Sequence, residues 1–294
     1  MPKLGPGDEV LLVAPSRFVE SRWVNSFVQL MGSKKIKVTL APNLFARKDQ
    51  FAGTDQQRLM DMQWAIDHPN AKAIWSVRGG YGAARILPHL DFSNLLKHPK
   101  WMIGYSDFTV FHCYLNGLGF PSLHATMPVH ISDDANFMSD FERALCLMAH
   151  QESKISLNQS THINKVAKQG VLIGGNLSIL YSALFQFPKD FFENKILFLE
   201  DVGEYLYHID RMVQALESFG VFENISGLLV GSMTEMNDNP TPFGEDIQSI
   251  FESRLKTYTY PRVYGLPCGH NGPNHPLILG QKVHLTDKEL LLGV

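Results

Sequence analysis

Apolar, β-branched runs at Glu9 to Ala14, Ile36 to Leu40, Ala73 to Val77 and Trp101 to Gly104 alternate with helix-like stretches such as Ser21 to Met31 and Gln56 to Ile66. That rhythm means βαβ units, because neighbouring parallel strands need a crossover long enough to hold a helix. The expected fold class is α/β, opening on a Rossmann-like, mostly parallel sheet with helices on both faces. In such a sheet the loops at the carboxyl ends of the strands carry the site.

From about 150 to 168 the chain turns polar, with Gln151-Glu152-Ser153-Lys154 and Asn158-Gln159-Ser160-Thr161 and little apolar periodicity, which reads as an interdomain linker. Beyond it, short strands are expected at Gly170 to Leu172, Ile196 to Leu199, Gly227 to Val230, Leu277 to Gly280, Lys282 to Leu285 and Glu289 to Leu292. Helices are expected near Leu177 to Phe185, His208 to Ser218 and Ile247 to Leu255. The chain therefore reads as an N-terminal domain over 1–150, a linker over 151–168 and a smaller C-terminal α/β domain over 169–294. At 294 residues it is long enough for both cores.

Charged residues make up 19% of the chain and the net charge is -3, so no basic face is offered to nucleic acid. No segment nears the roughly 20 apolar residues that span a bilayer. The start, Met1-Pro2-Lys3-Leu4-Gly5-Pro6-Gly7-Asp8, lacks a secretory apolar stretch, so the expected location is the cytoplasm, with no membrane partner. Three scattered cysteines, Cys113, Cys146 and Cys268, suit buried free thiols in a reducing compartment rather than a disulfide framework.

Gly104-Tyr105-Ser106-Asp107 follows the run Trp101-Met102-Ile103 and precedes a helix beginning Phe108-Thr109-Val110. A serine at a sharp strand-to-helix turn exposes its hydroxyl, as a nucleophile requires, although many such serines only cap the helix. Arg78-Gly79-Gly80-Tyr81-Gly82 also follows a strand and opens a helix; its glycines let backbone N–H groups approach a ligand, as an oxyanion cradle does. Its spacing matches neither the dinucleotide fingerprint nor the P-loop, and no lysine follows.

A serine nucleophile needs a base, and among twelve histidines His270 is the best placed, because Gly269 and Gly272 free its loop to aim the ring. The base needs an acid to fix its tautomer. Glu200, at the end of Ile196-Leu197-Phe198-Leu199, holds a position suited to that role and equally to a solvated charge at a strand end. Cys268, His270 and His275 could form a zinc set, but their spacing is irregular, no paired cysteine accompanies them and no HExxH occurs, so no metal and no cofactor are expected. Asn176 could donate to a substrate carbonyl or cap its helix, and Asp210 with Arg211 could form an anchoring salt bridge or touch substrate.

Taken in order, Leu4-Gly5-Pro6-Gly7-Asp8, Val13-Ala14-Pro15-Ser16, Arg78-Gly79-Gly80-Tyr81-Gly82, Gly104-Tyr105-Ser106-Asp107, Gly174-Gly175-Asn176-Leu177, Leu199-Glu200-Asp201, Tyr207-His208-Ile209-Asp210-Arg211 and Gly269-His270 resemble the LD-carboxypeptidases. That serine peptidase family includes the microcin-immunity peptidases. The resemblance implies Ser106 as nucleophile, His270 as base and Glu200, ahead of Asp201 and Glu204, as the acid. It implies an oxyanion hole from the backbone N–H of Gly80 or a neighbouring glycine together with that of Asp107. Arg78, Tyr81 and Asn176 are the matching substrate-binding candidates. The implied substrate is a murein tetrapeptide that loses a terminal D-alanine during cell-wall recycling, or, in the immunity branch, a peptidyl or aminoacyl adenylate; a homodimer is implied as well. The site is then expected to form between the domains. Two departures flank the expected cleft: the family's His-Gly pair stands here as His124-Ala125, and the aromatic before Gly-His is Cys268.

The order Ser106, Glu200, His270 is also that of α/β-hydrolases, but position 108 is Phe where their elbow has glycine. A non-catalytic, two-domain ligand-binding protein is the alternative of another class.

Overall fold

Val10, Leu11, Leu12 and Val13 are apolar without alternation and all fully buried, the mark of a strand covered on both faces. The computed structural model describes residues 1–132, 134–150, 153–157, 162–164 and 166–293. Its strands are β1 (Glu9–Val13), β2 (Lys37–Leu40), β3 (Ala73–Ser76), β4 (Trp101–Gly104), β5 (Ser122–His124), β6 (Ser153–Ser156), β7 (His162–Ile163), β8 (Lys168–Asn176), β9 (Ile196–Val202), β10 (Gly227–Thr234), β11 (Arg262–Tyr264), β12 (Leu277–Leu279), β13 (Lys282–Leu285) and β14 (Glu289–Leu292).

The first sheet runs β12-β5-β4-β3-β1-β2, with β1 to β5 parallel, as the alternating pattern requires. Helices Ser21–Ser33 and Asp55–Asp67 make crossovers; the second starts with a capping box in which Thr54 and Gln57 satisfy each other's backbone N–H. The second sheet runs β6-β14-β13-β8-β9-β10-β11-β7, with β8 to β11 parallel and antiparallel strands on both flanks. The fold is thus mixed α/β with a mostly parallel N-terminal sheet and a second α/β unit.

Of the stretch read as a linker, residues 151–152, 158–161 and 165 lie outside the described residues. Ser153–Ser156 and His162–Ile163 are edge strands of the second sheet. One element sits apart from its expected place: β12, read with the C-terminal domain, pairs antiparallel with β5 in the first sheet. Its three side chains are buried there, and they cover what would otherwise be a bare edge of β5. The chain then returns to the second sheet as β13, and apolar residues of both sheets, among them Ile103 and Leu123 of the first and Leu172 and Phe198 of the second, share one core.

Gly174 and Gly175, just before the last residue of β8, have φ +119 and +135, and a Cβ on Gly175 would lie 2.6 Å from Thr109 Oγ1. Glycine there lets the helix Thr109–Gly117 dock on β8, where the Asn176 N–H donates to Thr109 Oγ1 at 3.0 Å. This contact brings the carboxyl ends of the two parallel sheets together. Asp210 pairs with Arg254 at 2.6 Å while Arg211 stacks on Tyr207, so the expected salt bridge exists with a different partner. Cys113 and Cys268 are buried thiols, whereas Cys146 is exposed on the outer face of helix Phe137–Met148. Among the described residues no helix is long and apolar enough to cross a membrane.

Candidate active site

Ser106 has φ +61, a left-handed conformation that costs a non-glycine residue about 1–3 kcal/mol and persists only where surroundings enforce it. The enforcement is visible. A Cβ on Gly104 would lie 2.7 Å from Phe108 Cγ, so glycine there admits the Phe108 ring beneath the turn. His112 Nε2–H donates to the Gly104 carbonyl at 2.9 Å, and its Nδ1 accepts from Ser122. Burial holds the His112 pKa down to about 4, so the ring stays neutral and structural.

Asp107 fastens the elbow to the glycine loop: its buried carboxylate accepts from Ser16 Oγ at 2.6 Å and from the Ala83 N–H at 2.9 Å. Burial raises its pKa against those hydrogen bonds. The Gly80 and Asp107 N–H groups have no intramolecular acceptor among the described residues, which leaves both free to receive an anionic oxygen. Gly79 lies closest to the serine: a Cβ there would be 2.9 Å from Ser106 Cβ and 3.0 Å from its Oγ. Gly80, at φ +118, makes room for the Arg17 side chain, which a Cβ would overlap. Arg78 donates to the Phe18 carbonyl at 3.2 Å, and Tyr81 is exposed beside Phe51.

Glu200 comes from β9 of the second sheet, and His270 from the loop between β11 and β12. Glu200 lies in the buried part of β9 with no exposed surface, and His270 Nδ1–H donates to its Oε2 at 2.6 Å. Gly269 makes this possible, because at φ +128 its missing Cβ would overlap Ser232 Oγ and lie 3.0 Å from Glu200 Oε2. Ser232 Oγ donates to the His270 carbonyl at 2.8 Å and holds the loop down. Burial lowers the imidazole pKa, but the charge and hydrogen bond of Glu200, with Asp201 and Glu235, outweigh it and raise the value above that of ordinary histidine.

The neighbouring acids are engaged elsewhere. Asp201 accepts from Asn176 Nδ2, the Ser178 N–H and the Val202 N–H, and burial with the Glu200 charge lifts its pKa to about 6. Glu204 pairs with His208 at 2.9 Å. Asn176 caps the helix Leu177–Ala183, its Oδ1 accepting from Ser178 and Ile179 while its Nδ2 serves Asp201. Cys268 Sγ faces the His275 carbonyl, His270 faces Glu200 and His275 faces Asp140, so the three residues weighed as metal ligands point to three different partners.

The two halves meet at Tyr105, whose ring centroid lies 4.7 Å from that of His270 and whose hydroxyl bonds His130 Nε2 at 2.6 Å. No hydrogen bond joins Ser106 to His270 among the described residues, and His270 Nε2 has no partner among them. A cleft of about 320 Å³ opens beside His270, lined by Tyr105, Thr126, His130, Asp134 and Asn274.

Sequence reasoning missed a brace behind the His270 loop. Asp140, buried on the helix Phe137–Met148, accepts from the Asn274 N–H at 2.7 Å and from His275 Nδ1 at 2.8 Å. Asn274 Oδ1 in turn accepts from the Gly269 N–H and from His124 Nε2, both at 3.0 Å. His124, which precedes the departure at Ala125, is thereby tied to the loop that carries His270.

Residues 10–125 match the N-terminal domain and residues 169–285 the C-terminal domain of the LD-carboxypeptidases. A Synechocystis sp. protein with a carboxypeptidase name, slr1534, is 33% identical over 96% of this chain and 92% of its own length. The crystal structure of muramoyltetrapeptide carboxypeptidase from Oxalobacter formigenes superposes with TM-score 0.84 at 27% identity, covering 97% of this chain and 99% of that one. The structure of MccF in complex with glutamyl sulfamoyl guanosine shares the fold at TM-score 0.86 and 19% identity, covering 99% and 97%.

Proposed function

The chain belongs to the LD-carboxypeptidase family, and from that premise we propose that it is a serine carboxypeptidase that removes a terminal D-amino acid from an L-centre, releasing D-alanine from murein tetrapeptide in cell-wall recycling. The observation that carries the proposal is the pairing of His270 with the fully buried Glu200 beside the strained Ser106 elbow. Ser106 Oγ attacks the scissile carbonyl while His270 Nε2 takes its proton. Glu200 fixes the Nδ1–H tautomer and stabilises the imidazolium that forms. The oxyanion settles between the N–H groups of Gly80 and Asp107. His270 then returns the proton to the departing amine, and water enters to release the acyl enzyme by the same steps in reverse order. The same reading includes a cytoplasmic location and a homodimer.

The second reading is a peptidyl or aminoacyl adenylate substrate; it is prompted by MccF, which shares the fold and is seen in complex with glutamyl sulfamoyl guanosine. Incubation with murein tetrapeptide and, separately, with an aminoacyl sulfamoyl adenylate distinguishes the two by the product released. Labelling of Ser106 by a fluorophosphonate, lost on denaturation, supports the serine mechanism; an unlabelled serine with no hydrolysis of either compound leaves the binding-protein alternative.

A further inference from the structure

Arginines gather on one side of the elbow. Arg47 lies 3.9 Å over the Phe18 ring, and Arg78 lies 5.4 Å from the ring centroids of both Phe18 and Trp23. Arg17 lies across Gly80, whose lack of a Cβ is what admits its Cγ and Cδ, and Gly79 next door abuts Ser106. Among the described residues neither Arg17 nor Arg78 has a carboxylate within ion-pair distance, and Glu20, the acid whose charge reaches Arg78, is paired with Arg22 at 2.8 Å. Arg17 Nε is buried without a partner. Burial, and next the charge of Arg17, hold the Arg78 pKa below the ordinary arginine value.

Two guanidiniums kept close together, half-buried and unpaired, repel each other, and an anion between them relieves that cost. The cleft on the His270 side offers the opposite environment: its lining includes Asp134 and contains no lysine or arginine. A carboxypeptidase must recognise a carboxylate two bonds beyond the scissile nitrogen, and among the described residues the arginine side of the elbow supplies charge for it. We propose that Arg17 and Arg78 bind the terminal carboxylate of the peptide substrate, the Gly79–Gly80 turn setting that subsite beside Ser106. The inference rests on the carboxypeptidase reading above. It gives Gly80 a second purpose, since any side chain there would displace Arg17.

The test compares kcat/KM for an L,D-tetrapeptide with a free terminal carboxylate and for its terminal amide, in the wild type, Arg17→Gln, Arg78→Gln and Arg78→Lys. The wild type should prefer the acid by about 100-fold or more, and each Gln variant should lose about that factor on the acid while changing little on the amide. Arg78→Lys should recover part of the preference, keeping charge without the planar fork. An undiminished acid preference in both Gln variants overturns the inference. Because Arg78 also packs on Phe18 and Trp23, calorimetric binding of acid and amide to Ser106→Ala supplies a readout without altering either arginine: at least about tenfold tighter binding of the acid is expected, and equal affinity overturns it. A wild type that cleaves acid and amide alike defeats this inference alone, whereas one that cleaves neither defeats the carboxypeptidase reading with it.

Discussion

His270 Nδ1 stands 2.6 Å from Oε2 of Glu200, a carboxylate with no exposed surface. Burial pulls the imidazole down and Glu200 more than restores it, so the folded-state pKa lies above the ordinary value near 6.5. In the proposed mechanism His270 acts as a neutral base, so the acid limb of kcat/KM should fall above pH 6.5, and Glu200→Gln should move it to lower pH while cutting turnover by about 10⁴. A limb that stays in place in the variant refutes the pairing as the source of the shift. For stability the sign runs the other way from the usual carboxylate case: the pair stabilises fully below about pH 6.5 and its contribution is lost as pH rises through the raised value. Thermal melts should decline across that window in the wild type and less so in Glu200→Gln.

Ser106→Ala should reduce hydrolysis by about 10⁴ to 10⁶ with the fold intact. Ser106→Gly should be equally inactive and more stable, since glycine adopts φ +61 without penalty. A gain of about 1 kcal/mol in stability is expected. A denaturation midpoint for Ser106→Gly below that of Ser106→Ala would show that the turn is not strained.

Gly79→Ala places a methyl group 3.0 Å from the Ser106 hydroxyl. Labelling of Ser106 by a fluorophosphonate should slow by about 100-fold or more, as expected when reacting atoms are displaced by about 1 Å, while circular dichroism stays unchanged. Labelling at the wild-type rate would mean the loop yields and the close approach has no bearing on the nucleophile.

Asp140→Ala removes the acceptor for Asn274 and His275 behind the base loop. Hydrogen bonds to a charged group contribute about 1.5–3 kcal/mol, so chemical denaturation should show a loss of that order. Activity should fall through kcat more than KM, because the loop that aims His270 is loosened while the arginine side is untouched. A fall confined to KM would place Asp140 in substrate binding instead.

Strands β1, β3 and β4 were legible because nearly every residue in them is apolar, and their parallel pairing followed from the helices between. Strand β5 was not, since Ser122-Leu123-His124 holds a single apolar residue and only its neighbours make it a strand. The run Leu277 to Gly280 reads as a strand, which the structure forms over Leu277–Leu279, but its partner is set by an open edge elsewhere, which no local pattern records. The contact of Glu200 with His270 was anticipated through the family motifs rather than through residue chemistry, which left Glu200 equally a solvated charge. Asp140 and Asn274 are 134 positions apart and neither stands in a distinctive pattern, so their hydrogen bond could emerge only from the fold. Arg17 stands in no distinctive pattern either: what places it near the elbow is the space above Gly80.

The segment bearing His270 leaves β11 in one sheet and enters β12 in the other before the chain goes back to β13. Its two ends are therefore stitched to different bodies of the protein. A gene cut at the polar stretch near residue 150 would hand the C-terminal fragment a strand that belongs to its partner, and would leave the N-terminal fragment with an open edge. The halves of this protein are consequently not exchangeable cassettes: a graft that brings in a foreign C-terminal half must also bring a strand to fit the old β5, or lose the strap that carries His270.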